Sequence, residues 1–363
     1  MGAAVDAITT ASRPLLIAGP EVARRNLTDL VEGIATSSCI PIVDPPWRDA
    51  EWATARSDHP HYCGVYRRDD PVMQSSDLVV IVGAPPLLES ELRSDSGLPR
   101  EATVIRIVDH PSWLDPLEER QIGVVGDIRA TLEHIHRAPT EAHRGGSVRK
   151  SHVTELRQRW EARSSLVEPP VEATTSTRGV PIQTALRIVA EHLDENSTAV
   201  LDPVTATSAL LDLLPRRTSS LFATGSGALG WGMGAAVGVA LAQPDRRVAG
   251  IVGDGVFQFG VQAIGTAVRL KLPLTWIVLN NNGYHAVRNA VAKGKGARSA
   301  QPHPLADITD VDYVAIAQGF GADGVVVGTT DALRRTLSRP TPTDVPTVID
   351  LRLHGQTTNP PGS

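Results

Sequence analysis

Apolar positions along the chain fall into two stretches of similar design, separated by a polar break. Between residues 14 and 137, short apolar runs alternate with stretches of helical spacing. The runs are Leu15-Leu16-Ile17, Ile40-Pro41-Ile42-Val43, Leu78–Val82, Val104–Val108 and Ile122–Val125, with helices expected over Val22–Ile34 and Ile128–His136. Runs that are apolar at successive positions predict strands covered on both faces, and therefore a doubly wound parallel sheet. Residues 138–179 interrupt this with Pro139, Gly145, Gly146, Pro169, Pro170 and a Thr/Ser run at 174–177, which predicts a linker. Within it the charged stretch Ser151–Arg163 predicts one exposed helix, whose basic residues face solvent or touch a partner.

From Val180 the alternation returns. Ile182, Leu186, Val189 and Leu193 mark a helix, followed by strands at 199–201, 247–252, 274–279, 324–327 and 346–353. Apolar residues at 257, 261, 264, 268 and 272 predict a helix over Val256–Lys271, and two more helices are expected at 311–318 and 330–338. The fold class is α/β, with two doubly wound parallel-sheet domains, 1–137 and 180–363, joined by the linker 138–179.

Composition narrows the class. A length of 363 residues fits two domains of about 150 each. The longest apolar runs are of strand length, so no transmembrane helix is expected. Met1–Ala11 has no basic region ahead of an apolar one, unlike a secretory signal. Cys39 and Cys63 are too few for a disulfide framework and fit no zinc spacing, so both are expected reduced. The net charge of −5 argues against nucleic acid as a partner. The expectation is a soluble, cytoplasmic protein acting on a small molecule, with neither nucleic-acid nor membrane partners.

Candidate chemistry concentrates in residues 253–283, where Gly253-Asp254-Gly255 is followed, after 25 residues, by Asn281-Asn282-Gly283. Each end follows a strand pattern and a helix pattern lies between, so the unit is a βαβ crossover with both loops at one sheet edge. Asp254 and Asn281 can then converge on one ion. One Asp, one Asn and a backbone carbonyl suit a metal diphosphate better than a bare metal. The glycines allow close backbone approach and leave N–H groups at the helix start, where a phosphate sits well. A second signal is the run from Thr224 to Gly234, with five glycines in eleven residues. A third is Asp202-Pro203-Val204-Thr205-Ala206-Thr207, at a strand end running into a helix.

These features resemble the thiamine-diphosphate enzymes, whose cofactor motif is Gly-Asp-Gly followed at a fixed interval by Asn-Asn. The resemblance implies Mg²⁺ held by Asp254, Asn281 and the Gly283 carbonyl, and thiamine diphosphate contacted by Gly253, Gly255, Val256 and Asn281. It points to Thr205 as a further diphosphate contact, although a helix-capping role for Thr205 stands equally open. It places the aminopyrimidine ring at 224–234, with the Gly227 carbonyl accepting from the 4′-amino group. Leu229 becomes the apolar wedge that bends the cofactor into its reactive shape, the catalytic residue this chain supplies. Glycine-mediated helix packing accounts for Gly230, Gly232, Gly234 and Gly238. Val287 and Ala290, small residues after Tyr284-His285-Ala286, would face the substrate, and His285 is either catalytic or structural. Residues 293–304, with Lys293-Gly294-Lys295-Gly296 and Pro302-His303-Pro304, would form a closing lid.

Residues 1–137 resemble the middle domain of the same family, through Gly19-Pro20, Gly83-Ala84-Pro85 and Asp109 before Pro111. No Gly-x-Gly-x-x-Gly fingerprint occurs, so no nucleotide is expected there. Benzoylformate decarboxylase and carboligases such as benzaldehyde lyase are the subfamilies most similar, through Gly227-Ala228-Leu229-Gly230, Asn280-Asn281 and His59-Pro60. Some of those decarboxylases carry a histidine where this chain has Leu87-Leu88-Glu89-Ser90-Glu91, which shifts weight toward carboligation or C–C cleavage. In the family, a glutamate on a third domain polarises the pyrimidine so that the thiazolium loses its proton and attacks a carbonyl. No counterpart is seen in this chain. The resemblance thus implies the diphosphate-binding subunit of a split hetero-oligomer, α2β2 or α4β4. A separate pyrimidine-binding subunit would supply the glutamate, and the complex would be a lyase or carboligase acting on 2-oxo acids or 2-hydroxy ketones. An acetolactate-synthase-like ligase and a non-catalytic scaffold subunit are the alternatives.

Overall fold

The structure, a computed structural model, describes residues 1–45, 54–86, 97–138, 146–164, 179–215, 220–224, 227–295, 306–339 and 343–354. Its contacts define two compact units, one built chiefly from Met1–Leu166 and one from Val167–Leu214 and Leu221–Thr358.

The first unit runs α1 (Gly2–Thr10), β1 (Pro14–Ala18), α2 (Pro20–Arg24), α3 (Thr28–Ser38), β2 (Ile42–Asp44), β3 (Tyr62–Val65), β4 (Leu78–Val82), β5 (Thr103–Val108), β6 (Gln121–Val125), α4 (Ile128–Arg137) and α5 (Gly146–Ser164). Its six strands are all parallel, in the order β3-β2-β1-β4-β5-β6. The continuous apolar runs are explained by burial on both faces. Leu16, Val80 and Ile105 pack with Ile8, Val31 and Leu132 on one side, whereas Leu15, Val79 and Val104 pack with Met73 and Leu156 on the other.

Two expectations are corrected here. The single helix over 22–34 is two helices, α2 and α3, because Asn26 takes a left-handed conformation (φ 53°) that no α-helix can contain. The charged helix of the linker, α5, is not an exposed one. It buries Val153, Leu156 and Trp160 within the first unit, against β3 and its neighbours, and its four arginines are engaged inside the chain. Arg149, wholly buried, donates to the carbonyls of Ile8 (2.6 Å), Ala11 (2.7 Å) and Ser38 (2.7 Å), closing the carboxyl ends of α1 and α3. Arg157 lies over the Trp160 ring at 4.5 Å and donates to the His59 and Tyr62 carbonyls. Arg159 pairs with Asp70 at 2.9 Å.

The second unit runs β7 (Val180–Pro181), α6 (Ile182–His192), β8 (Ser197–Asp202), α7 (Thr207–Leu213), β9 (Leu221–Ala223), α8 (Trp231–Ala242), β10 (Arg247–Gly253), α9 (Asp254–Gly260), α10 (Ala263–Arg269), β11 (Leu274–Asn280), α11 (His285–Lys295), α12 (Tyr313–Gly319), β12 (Asp323–Val327), α13 (Thr330–Leu337) and β13 (Thr347–His354). The sheet is again parallel, β12-β13-β11-β10-β8-β9, with β7 beside the end of β13. One face carries Val248, Val252, Leu274, Trp276 and Val348 against α8, α10 and α12. Gly250 makes room for the buried Trp276, whose indole a side chain at 250 would strike at 2.6 Å.

The helix expected over 256–271 is two, α9 and α10. Val261 and Gln262 keep right-handed angles, but the Ile264 N–H bonds back only three residues, to Val261, and kinks the path. Among the described residues no helix is long and apolar enough to cross a membrane. Both units are thus parallel-sheet α/β structures, the class the apolar pattern predicts. The strand order reverses at β8 and β10, and in such sheets ligands bind at the carboxyl ends on either side of that reversal. Those ends lead into Pro203–Thr205 and Gly253-Asp254.

Candidate cofactor and metal site

Strands β10 and β11 are neighbours with Gly253 level with Leu279, so the loops leaving them start side by side. Asp254 opens α9 and is 3% exposed. Its Oδ2 accepts from the N–H groups of Gly283 (2.9 Å) and Asn281 (3.2 Å), and its Oδ1 accepts from Gly255 N–H (2.8 Å). Burial pushes its carboxyl above the ordinary range, against the pull of these N–H groups. A cation beside it would reverse that balance.

The Asn281 carboxamide supplies the next part of the geometry. Its end lies 2.9 Å from the Gly283 carbonyl oxygen and 3.3 Å from Asp254 Oδ2. Two arrangements satisfy these distances. Either the amide NH₂ bridges the two oxygens, or the amide oxygen faces them and a cation stands among all three. The edge of an octahedral shell with Mg²⁺–O bonds of 2.0–2.1 Å is about 2.9 Å, close to both distances. With the amide oxygen turned inward the donor set would be oxygen only, with one carboxylate, which fits a hard cation shared with a polyanionic ligand. Among the described residues no group of three His, Cys, Asp or Glu offers a transition-metal site instead.

Contacts to which sequence reasoning gave no role hold this loop in place. Asn280 is buried and donates to Asp350 Oδ1 at 2.7 Å, tying the loop to β13. A side chain on Gly283 would strike the Ala306 carbonyl at 2.5 Å, and one on Gly255 would strike the Tyr284 ring at 2.4 Å. Asp202, buried at the end of β8, accepts from Gly232 N–H at 3.0 Å, fixing the start of α8. An acid at the last position of a buried strand, just before Pro203, is the signal that could have found it.

The other expected residues fall as follows. The Gly255 N–H, expected to face a phosphate, is used here by Asp254 Oδ1. Val256 is buried at 3%, so only its backbone is available to a ligand, whereas a side chain at Gly253 would meet nothing closer than 3.8 Å. Thr205 caps no helix. The N-cap of α7 is Ala206, without a side-chain bond, and the turn before Thr205 carries Val204 at φ 51°, an uncommon angle for a β-branched residue. This turn packs against α11.

Gly227 is exposed at φ 67°, with nothing within 4 Å of where a side chain would project, and Leu229 is 39% exposed. The expectation for four packing glycines holds for Gly230, against Phe259, and Gly232, against Asp202. Gly234 and Gly238 face open space. Val287 and Ala290 are exposed on α11. The His285 Nε2 lies 3.1 Å from Arg288 Nη1, and Arg288 pairs with Asp307. Burial and then Arg288 push the His285 ring below its ordinary value, so it is a neutral acceptor in this cluster. Residues 87–91, most of 293–304 and the 174–177 run lie outside the described residues. From residue 196 to the end the sequence contains no glutamate.

Residues 1–135 match the family described as thiamine pyrophosphate enzyme, central domain, and residues 205–351 match thiamine pyrophosphate enzyme, C-terminal TPP binding domain. The chain is 26% identical to benzoylformate decarboxylase of Pseudomonas aeruginosa, over 95% of this chain and 62% of that protein. It is 24% identical to acetolactate synthase of Bacillus subtilis (97% and 60%) and 25% identical to 2-hydroxyacyl-CoA lyase of Oryza sativa (96% and 60%). The chain spans about three fifths of the length of these curated relatives. Among solved structures, the thiamine diphosphate-dependent 4-hydroxybenzoylformate decarboxylase of Rhodococcus jostii RHA1 superposes with a TM-score of 0.77 at 24% identity, over 98% of this chain and 64% of that one. Benzoylformate decarboxylase of Polynucleobacter necessarius gives 0.76 at 21%, over 97% and 63%.

Proposed function

The chain carries the central and C-terminal domains of the thiamine pyrophosphate enzymes, and from that premise we propose that its second unit holds the diphosphate end of thiamine diphosphate through Mg²⁺, as one subunit of a split lyase or carboligase. The observation that supports this best is the convergence of the Asp254 carboxylate, the Asn281 carboxamide and the Gly283 carbonyl, with the carboxamide 2.9 Å from the carbonyl oxygen and 3.3 Å from Asp254 Oδ2. When bound, thiamine diphosphate supplies a thiazolium carbon that adds to a carbonyl and accepts the electron pair released when a C–C bond breaks. The residues of this chain bind and orient. Asp254 would supply the one negative charge to the ion, Asn281 and Gly283 would complete its protein contacts, and the backbone of Gly253, Gly255 and Val256 would approach the diphosphate, although the Gly255 N–H already donates to Asp254 Oδ1. Thr205, in the turn beside α11, adds a hydroxyl on the same side. Leu229, 39% exposed, would pack against the cofactor, and the Gly227 carbonyl would accept from its amino group. Val287 and Ala290 border the substrate.

A glutamate must still hold the proton relay at the pyrimidine. We infer that a separate pyrimidine-binding subunit brings it, in a hetero-oligomer acting on 2-oxo acids or 2-hydroxy ketones in the cytoplasm. The curated relatives named acetolactate synthase favour, as a second reading, ligation of two small 2-oxo acids. The test is to co-express the chain with candidate partner subunits and follow turnover of benzoylformate, pyruvate and benzoin with Mg²⁺ and thiamine diphosphate. Activity confined to a complex supports the split enzyme, and the preferred substrate separates lyase from ligase. Ordinary turnover by this chain alone refutes the split reading, and a cofactor-binding complex with no turnover supports a scaffold subunit.

A further inference from the structure

Strand β13 carries an acid where its pattern calls for an apolar residue. Asp350 stands between Ile349 and Leu351, level with Val278 of β11 and Val326 of β12. It shares with Val348 the face of the sheet that packs on α8, α10 and α12. The residue is 3% exposed. Its Oδ1 accepts from Asn280 Nδ2 at 2.7 Å, whereas its Oδ2 meets Arg352 Nε at 3.5 Å, on a side chain that is 60% exposed. A buried carboxylate so thinly compensated costs stability, and an apolar residue would serve the sheet better.

What the acid does is visible one bond further on. The Asn280 carboxamide turns its oxygen to the Asn282 N–H at 3.2 Å, two residues ahead. A carboxylate only accepts, so Asp350 requires the NH₂ of Asn280, and the opposite orientation of that amide would set oxygen against oxygen. The Asn282 N–H is thereby held by the Asn280 side chain, between the N–H groups of Asn281 and Gly283, which are held by Asp254. The Asn282 carbonyl is held as well, by the Ile308 N–H at 3.1 Å. Pinned at both ends, Asn282 keeps a left-handed conformation (φ 57°) that is uncommon outside glycine. This is the turn in which the Asn281 carboxamide and the Gly283 carbonyl meet at 2.9 Å.

We propose that Asp350 is a positioning residue for the metal loop, acting through Asn280: it orients the amide that fixes the turn from Asn281 to Gly283. The proposal rests on the reading of that loop as a Mg²⁺–diphosphate site. Two measurements on the full chain test it. Without Mg²⁺ or thiamine diphosphate, amide hydrogen exchange of Asp350→Leu should show Asn282 losing its protection while Ile251 and Ile277, in the centre of the sheet, keep theirs. With saturating thiamine diphosphate, calorimetric titration should show Mg²⁺ bound about 10–100-fold more weakly by Asp350→Leu. Asn280→Ala leaves the carboxylate in place and should show the same two losses; it carries the test if Asp350→Leu does not fold. The double variant should bind Mg²⁺ no more weakly than Asn280→Ala alone. Asp350→Asn, which keeps an acceptor for the Asn280 amide, should stay close to the parent in both measurements. The role of Asp350 is overturned if Asp350→Leu keeps the parent's Mg²⁺ affinity, or if the losses add in the double variant. It is equally overturned if Ile251 and Ile277 exchange faster too, the mark of a loosened sheet, or if Asp350→Asn falls as far as Asp350→Leu, which assigns the effect to charge. A parent chain that binds no Mg²⁺ with thiamine diphosphate overturns the diphosphate reading and the proposal with it. That failure shows in the parent, whereas failure of the proposal alone shows only in the variants.

Discussion

Replacing Asp254 with Asn tests the centre of the site with almost no change of shape. In the parent, three backbone N–H groups at 2.8, 2.9 and 3.2 Å share two carboxylate oxygens. An amide keeps one oxygen and turns an NH₂ toward the donors, leaving one or two buried N–H groups without a partner at about 1–3 kcal/mol each. Part of this is recovered because the amide buries no charge, and the raised carboxyl pKa shows that the charge is unfavourable there. The net loss without ligand is about 1–3 kcal/mol, or roughly 3–10 °C for a unit of this size. With Mg²⁺ and thiamine diphosphate at about one hundred times their joint Kd, the parent should gain about 2.7 kcal/mol, again several degrees. Asp254→Asn should gain nothing, because the only charged group contributed to the ion is gone. Thermal unfolding of both proteins, with and without millimolar Mg²⁺, thiamine diphosphate and excess chelator, reads both effects. An unchanged metal-dependent shift in Asp254→Asn, or no shift in the parent, refutes the assignment of the ion to this loop.

Three further outcomes follow from the same structure. Leu229→Ala should leave stability within about 0.5 kcal/mol, since the side chain is 39% exposed. In the assembled enzyme it should lower kcat roughly a hundredfold, as expected for a misplaced reacting group, with the Mg²⁺-dependent melting shift intact. Gly250→Ala should destabilise by about 1–3 kcal/mol in urea unfolding, because the new methyl meets the Trp276 indole at 2.6 Å. His152 is buried beside Ser76, and burial pushes its ring from 6.5 down to about 4. Between those values the unfolded chain binds a proton that the folded one does not. The stability this contributes is therefore whole above pH 6.5 and is lost as pH falls toward 4, by about 3 kcal/mol in all. His152→Asn should show a correspondingly shallower acid dependence of the urea midpoint.

Strand content was the most legible part of the sequence. Burial on both faces made Leu78–Val82 apolar throughout and Val104–Val108 apolar at every position but the buried Arg106. Helix α8 was hidden because Trp231–Ala242 is apolar or small on every side and lacks a helical stripe. Helix breaks were hidden too, since a left-handed Asn26 or a kink at Val261 needs no unusual residue. The loop carrying Asp254, Asn281 and Gly283 was legible from spacing alone, because a βαβ crossover must bring its two ends together. Its supports were not, since Asn280 with Asp350 and Gly255 with Tyr284 meet only across elements. The long reach of Arg149 was equally invisible, because it depends on helix ends more than a hundred residues away.

That reach has a consequence for synthesis. The carbonyls of Ile8, Ala11 and Ser38 leave the ribosome well before the guanidinium that closes them, separated from it by 141, 138 and 111 positions. At about 5–20 residues per second the nascent first unit spends several seconds with its strands made and these helix ends open. Until Arg149 and the apolar face of α5 emerge, one side of the sheet stays uncovered and available to chaperones. A ribosome stalled shortly before residue 146 should therefore hold a protease-sensitive chain, and one stalled far enough past 164 to release α5 a resistant one.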